Sequence, residues 1–157
     1  MGNLPTTLAF REACPADVSE IIELLADDAL GKGREAFGDA VDPAYLKAFE
    51  AIDLDPNNRL IVAEVDSEVV GCMQLTLIPH LTFKGGIRMQ IEGVRVKGTF
   101  RGRGVGATMI EWAVASALEE GCHLVQLTSN KTREDALRFY EEQGFEPSHV
   151  GYKLYLR

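Results

Sequence analysis

The sequence has no apolar run approaching the roughly 20 residues that a membrane-spanning helix needs. Its first residues, MGNLPTTLAF, lack the basic segment and apolar core of an export signal. A cytoplasmic protein with no membrane partner is expected. Cysteine is scarce: Cys14, Cys72 and Cys122 lie far apart with no CxxC pair, so neither a disulfide framework nor a zinc site is indicated, and small buried thiols are expected. Positive charge is in deficit. The chain carries 16 Lys and Arg against 24 Asp and Glu, a formal net charge of −8. Nucleic acid requires a basic surface, so no nucleic-acid partner is expected. His80, His123 and His149 form no paired motif, and no metal is expected. Repeats, low-complexity tracts and linkers are also missing, which leaves one domain spanning residues 1–157.

What is present is an ordinary globular balance, 46% hydrophobic and 25% charged. LAFREA (8–13) reads as a strand. Asp17 is placed to cap a helix with Val18, Ile21, Ile22, Leu25 and Ala29 on one face, ended by Gly31 and Gly33. Asp42-Pro43 starts a second helix that runs to about Ile52. RLIVAEV and EVVGCMQLTLI are strands joined tightly at Asp66-Ser67. A loop at 79–86 leads into the strand IRMQIEGVRV (87–96). A helix from Gly104 to Glu120, the strand HLVQLTS, a helix from Thr132 to about Gln143 and a last strand alternating Val150, Tyr152, Leu154 and Leu156 follow. The order β-α-α-β-β-β-α-β-α-β predicts an α/β fold. Its sheet is mixed and mostly antiparallel, with a central parallel βαβ unit formed by the strands at 87–96 and 123–129. Within 87–96 the apolar positions switch parity, from Ile87, Met89 and Ile91 to Val94 and Val96. A β-bulge at Gly93 absorbs the extra residue and frees backbone groups.

The stretch RGRGVG, Arg101 to Gly106, places three glycines where a strand hands over to a helix. A helix N-terminus offers unpaired N–H groups and partial positive charge. Glycines let a bulky anion reach the backbone, and Lys97, Arg101 and Arg103 add local charge, so a phosphate or pyrophosphate site is indicated. Easier helix–strand packing at Gly104 and Gly106 is the competing reading. A P-loop is excluded because no lysine and hydroxyl pair follows Gly106. A dinucleotide fingerprint is excluded because its third glycine would fall at Met109 and Thr128-Ser129 replace its acidic residue.

Arg101-x-x-Gly104-x-Gly106 after VRVKGTF resembles the R/Q-x-x-G-x-G/A signature of the GNAT acyltransferases. ALRFYEEQGF (136–145) resembles their second hallmark, and IEGVRV (91–96) is similar to the strand that carries the donor arm in many small bacterial members. The resemblance is specific over 87–145 and covers the element order from residue 8 onward. It implies an N-acetyltransferase using acetyl-CoA. Val94, Arg95 and Val96 would contact the pantetheine arm through their backbone. The amides from Arg101 through Gly102, Arg103, Gly104, Val105 and Gly106 would hold the pyrophosphate. Asn130 would sit by the arm, and Tyr140 would face the thioester sulfur as general acid. It also implies a homodimer, with the C-terminal strand as a candidate interface.

Glu92 is the candidate base, because an amine must lose a proton before it attacks a carbonyl. A salt-bridged or solvated Glu92, a core Tyr140 and a turn-forming Asn130 are the structural alternatives. Relatives acting on amino-sugar phosphates carry an acidic residue where Gly93 stands, which speaks against that substrate. The acceptor site is expected in the loops 31–42 and 79–86, with Glu35, Phe37, Asp39, Tyr45, His80 and Phe83, and points to a small, cationic primary amine. A protein or peptide acetyltransferase and a non-catalytic acyl-CoA-binding regulatory domain share the same motifs.

Overall fold

The structure is a computed structural model and describes residues 7–28, 30–35, 38 and 40–157. Ala29, Phe37 and Asp39 lie outside the described residues. Strand β1 (Leu8–Glu12) leads through a tight turn into helix α1 (Val18–Ala26), and helix α2 (Pro43–Leu54) follows. Strands β2 (Asn58–Val65) and β3 (Glu68–Pro79) form a hairpin; a single turn α3 (Thr82–Gly85) leads to β4 (Ile87–Val96), then α4 (Val105–Glu119), β5 (Leu124–Leu127) and α5 (Glu134–Glu142). The sheet runs β1-β2-β3-β4-β5. Neighbours are antiparallel except β4 and β5, the expected parallel βαβ pair.

Local chemistry explains most of these boundaries. Asp42 accepts from the Ala44 amide at 2.8 Å and caps α2 ahead of Pro43. Asp66 and Ser67 take φ of 50° and 66°, the left-handed pair that matches the twist of a two-residue hairpin. Asp17 does not cap α1. It sits in the preceding turn, buried, and binds backward to the Cys14 amide at 2.7 Å and to Arg11. The 79–86 segment is a turn with Phe83 and Lys84 in left-handed backbone (φ 51° and 58°).

Alternation sorts the core onto both faces of the sheet. On one, Ile61, Met73, Leu75, Met89 and Ile91 pack against Met109, Ile110 and Ala113 of α4. On the other, Val62, Val69 and Cys72 meet Val18, Ile21 and Ile22 of α1 and Phe49 of α2. Full burial of each large aliphatic side chain is worth about 1.5–3 kcal/mol. Gly71 permits the close approach of α4, since a Cβ there would stand 2.8 Å from the Met109 sulfur.

The bulge forms where the parity switch requires it. Cys72 is opposite Arg95 and Gln74 is opposite Glu92, so Gly93 and Val94 together face Met73, and Gly93 takes φ 61°. Ile91 and Val94 thereby point to the α4 side, and Glu92 and Arg95 share the other face.

The last expected strand is not formed. Residues 145–157 contain no regular element, and Val150, Tyr152, Leu154 and Leu156 are exposed. The alternation is present, but a strand exists only through hydrogen bonds to a neighbour, and among the described residues none pairs with this segment. The edge of the sheet is therefore β5.

Candidate active site

The parallel strands part company. Pairing of β4 with β5 runs from Arg88–Leu124 to Ile91–Leu127 and stops there, while β4 continues to Val96. Beyond Ile91 the edge of β4 that faces β5 is open, and Glu92 and Gly93 are exposed at its mouth. The bulge and the parting coincide, so the backbone of Val94, Arg95 and Val96 borders a gap between two strands.

At the end of β4 the chain turns through Gly98–Phe100 into α4. Gly102 and Gly104 take φ of 69° and 81°, conformations that side chains rarely adopt. The first bond of the helix runs from Thr108 N–H to the Gly104 carbonyl at 3.1 Å. Among the described residues the amides from Gly102 to Ala107 find no backbone acceptor, and a Cβ on Gly102 would meet only open space. This is the arrangement an anion needs. The basic side chains have other partners. The Arg101 amide donates to the Gly98 carbonyl at 3.3 Å, so the free amides begin one residue later than expected. The Arg101 side chain reaches the Val96 carbonyl at 3.0 Å and Asp27 Oδ2 at 3.2 Å, Arg103 lies over the Phe100 ring at 5.0 Å, and Lys97 is paired with Glu68. Lys97 and Arg101 are thus paired with carboxylates, Arg103 lies against a ring, and the free amides form the cradle.

Tyr140 lies on α5, half-buried, with edge-on rings at 5.1 Å (Phe139) and 6.0 Å (Phe145). Its hydroxyl has no hydrogen-bond partner among the described residues. Burial raises its pKa, partly opposed by the charges of Arg133 and Arg95, so the phenol keeps its proton. Phe139 also reaches the cradle: a Cβ on Gly106 would stand 3.4 Å from Phe139 Cζ and 3.7 Å from Val96 Cγ2. The helix carrying Tyr140, the strand bordering the gap and the amide cradle therefore meet in one place.

Asn130 is exposed at the end of β5, and its Oδ1 accepts from the Thr132 amide at 3.0 Å and the Thr132 hydroxyl at 2.8 Å. Its carbonyl is spent in a turn, which leaves only its amide nitrogens for a ligand. The expected Thr132 capping box is replaced by this turn, and α5 begins at Glu134 without a side-chain cap. Glu92 is exposed and makes no ion pair among the described residues.

Sequence reasoning missed a charged cluster. Arg95 Nε stands 3.0 Å from Asp28 Oδ2, both side chains being mostly buried, and neither atom has a well-aligned hydrogen bond. Asp28 is held below the usual carboxylate range by the Gly31 amide and by Arg95 and Arg133, against the opposing effect of burial. Glu35 is likewise lowered by Arg34, 2.5 Å away, and by the Tyr45 hydroxyl at 2.9 Å, again against burial. The Ser129 hydroxyl is buried without a partner. The signal in the sequence was that Glu92 and Arg95 are the two charges close together at the end of β4, brought to one face by the bulge. The loop 79–86 is elsewhere. His123 N–H donates to the Ile87 carbonyl at 2.8 Å, and His80 Nε2 meets His123 Nε2 at 3.0 Å, at the start of β4 and β5, the end remote from the gap. Among the described residues no group of three or more His, Cys, Asp or Glu is disposed to hold a metal. No helix of the described residues is long and apolar enough to cross a membrane.

A parted parallel pair, a bulge beside the gap, a backbone anion cradle and a half-buried tyrosine stand where the resemblance to acyl-CoA-dependent acyltransferases places its motifs. The acetyltransferase (GNAT) family model matches residues 19–145, and the chain belongs to that family. It is 35% identical over 106 residues to the aminoalkylphosphonate N-acetyltransferase of Salmonella typhimurium, covering 68% of each chain. It is 33% identical over 145 residues to an uncharacterized N-acetyltransferase of Archaeoglobus fulgidus, covering 92% of this chain and 97% of that one. Among solved structures, a protein described as a transcriptional regulator from Bacillus halodurans superposes with a TM-score of 0.92 at 45% identity, covering 96% of this chain and 100% of that one. The protein is an acyltransferase of the N-acetyltransferase type.

Proposed function

We propose that the protein moves the acetyl group of acetyl-CoA to the primary amine of a small molecule by direct attack within a ternary complex. The observation that carries this reading is the coincidence of open β4 backbone, the amide cradle and the helix that bears the unpartnered Tyr140 hydroxyl. The free amides of Gly102 to Ala107 suit the pyrophosphate, and the edge of Val94 to Val96 suits the pantetheine arm. The amine nitrogen forms a bond to the acetyl carbon and the carbon–sulfur bond breaks. Tyr140 gives its proton to the departing thiolate, and Glu92, directly or through water, takes the proton that the amine loses.

The acceptor is an amine that also carries an acid group. Glu35 and Asp28 are already paired, so the loop at 28–35 has no spare anion for a cationic substrate. Arg133, which makes no ion pair among the described residues, acts on Tyr140, and the Salmonella relative is by name an aminoalkylphosphonate acetyltransferase. Thiol release from acetyl-CoA, measured against aminoalkylphosphonates, amino acids, polyamines, aminoglycosides and peptides, tests this. Turnover restricted to polyamines or peptides overturns the acceptor class, and no turnover with any amine overturns the reaction. With the best acceptor, Tyr140→Phe is expected to lower kcat by about 10²–10⁴-fold while acetyl-CoA affinity holds.

A further inference from the structure

Glu92 is a carboxylate with a cation within reach and no ion pair. The bulge sets Glu92 opposite Gln74 and Arg95 opposite Cys72, and Cys72 and Gln74 are neighbours on one face of β3. Two positions along a strand span about 6.6 Å, a distance that an arginine side chain bridges. Opposite charges so placed on one face of a sheet attract. Yet Glu92 is exposed and unpaired among the described residues, while Arg95 is mostly buried and turned to another partner.

That partner is Asp28. Arg95 Nε stands 3.0 Å from Asp28 Oδ2, with 12% of the Arg95 and 18% of the Asp28 side chain exposed. Arg95 Nη1 donates to the Val94 carbonyl at 2.9 Å. Asp28 is itself fixed by the loop that carries it. Its Oδ1 accepts from the Gly31 amide, and its carbonyl accepts from the Lys32 amide at 3.0 Å. Glycine suits position 31 because a Cβ there would stand 2.0 Å from the Leu25 carbonyl oxygen and 3.0 Å from Asp28 Oδ1. Glu35, the other acid of the loop 28–35, is engaged by Arg34 at 2.5 Å and by the Tyr45 hydroxyl of α2 at 2.9 Å. On the remaining elements around this end of β4, Asp27 is paired with Arg101, Glu20 and Glu23 of α1 act on Lys97, and Arg133 of α5 acts on Asp28 and Tyr140. Gln74, opposite Glu92, carries no charge. A carboxylate beside a guanidinium is held ionised, and a base so held takes up a proton poorly.

We infer that Asp28 is a positioning residue of the reaction: it draws the Arg95 guanidinium away from Glu92 and so leaves that carboxylate free to take the proton of the amine. This role rests on Glu92 acting as the base.

Rates over a range of pH, with the best acceptor of the parent, test it. Asp28→Asn keeps the shape of the side chain and releases Arg95. The rate at neutral pH is expected to fall about tenfold, a part of the 10²–10⁴-fold that a base supplies. The acid limb of the profile is expected to move to lower pH by about 1–3 units, as for a carboxylate beside an arginine. Adding Arg95→Gln removes the cation that mispairs, and the double variant is expected to be faster than Asp28→Asn alone. In a Glu92→Gln background, Asp28→Asn is expected to change nothing. Should Asp28→Asn fail to fold by itself, it is compared within the Arg95→Gln chain, where no guanidinium is left to release and the rate is expected to stay that of Arg95→Gln. A double variant no faster than Asp28→Asn, an unmoved acid limb, or a further fall in either background overturns the role of Asp28 and leaves that of Glu92 intact. Glu92→Gln with parental rates at every pH overturns both.

Discussion

Asp17 illustrates how a single side chain joins segments that the sequence keeps apart. Arg11 donates to both its oxygens at 2.7 and 2.9 Å and to Glu64 at 2.7 Å, so one guanidinium ties β1, the turn before α1 and β2 together. That partner, with the Cys14 amide, holds the buried carboxyl down to about 2 against the effect of burial. A carboxyl lowered by folding stabilises the native state fully above its unfolded pKa of about 3.8, and loses that contribution as pH falls through about 2. Asp17→Asn is therefore expected to cost about 2 kcal/mol at neutral pH. In urea unfolding, the difference from the parent should shrink steadily below about pH 4; a constant difference across that range would mean that packing and not charge is lost. Glu92 raises a different question, because it stands exposed at the gap with no ion pair. If it takes the amine's proton, Glu92→Gln should depress the rate near neutral pH and recover part of it at high pH, where an amine of pKa about 10 deprotonates unaided. Identical pH–rate profiles would assign the proton to bulk water.

At the scale of elements, the site depends on two irregularities, a bulge in β4 and a helix that begins without a side-chain cap. Gly104 stands at the N-cap of α4 with φ 81° and ψ 0°. Asparagine and aspartate are the side chains that tolerate this conformation best, and they have the same shape. Comparing Gly104→Asp with Gly104→Asn thus isolates charge from strain. Calorimetric titration with acetyl-CoA is expected to show at least tenfold weaker binding for Asp than for Asn, because one carboxylate faces the pyrophosphate. Equal affinities would place the phosphates elsewhere.

For the whole molecule, α4 covers one face of the sheet and α1 with α2 covers the other, while the edge strands β1 and β5 each pair on one side only among the described residues. A molecule that binds the folded chain alone stabilises it, so acetyl-CoA at a hundred times its dissociation constant is expected to add about 2.7 kcal/mol, read as a higher melting temperature. An unchanged melting temperature would mean that the folded chain does not bind it.

The sequence by itself determined what depends on near neighbours. The hairpin at Asp66-Ser67, the cap at Asp42, the bulge at Gly93 and the glycine-rich start of α4 each follow from backbone preferences over a few residues, and the parity switch in IRMQIEGVRV announced the bulge before any neighbour was known. The family motifs lie on these same local features, which is why the class of reaction was legible. Tertiary structure alone decided what charges and strands do once folded. Arg101, Arg103 and Lys97 were read as added charge for a bound anion, but the Asp27 and Glu68 carboxylates, the Val96 carbonyl and the Phe100 ring engage them. Arg95 and Asp28 met across the sheet face with no periodicity to foretell it. The tail shows the limit most plainly. Its alternation reads as a final strand, yet none forms among the described residues: a strand is completed only by the hydrogen bonds of another strand, and side-chain order along one segment carries no information about which edge supplies them.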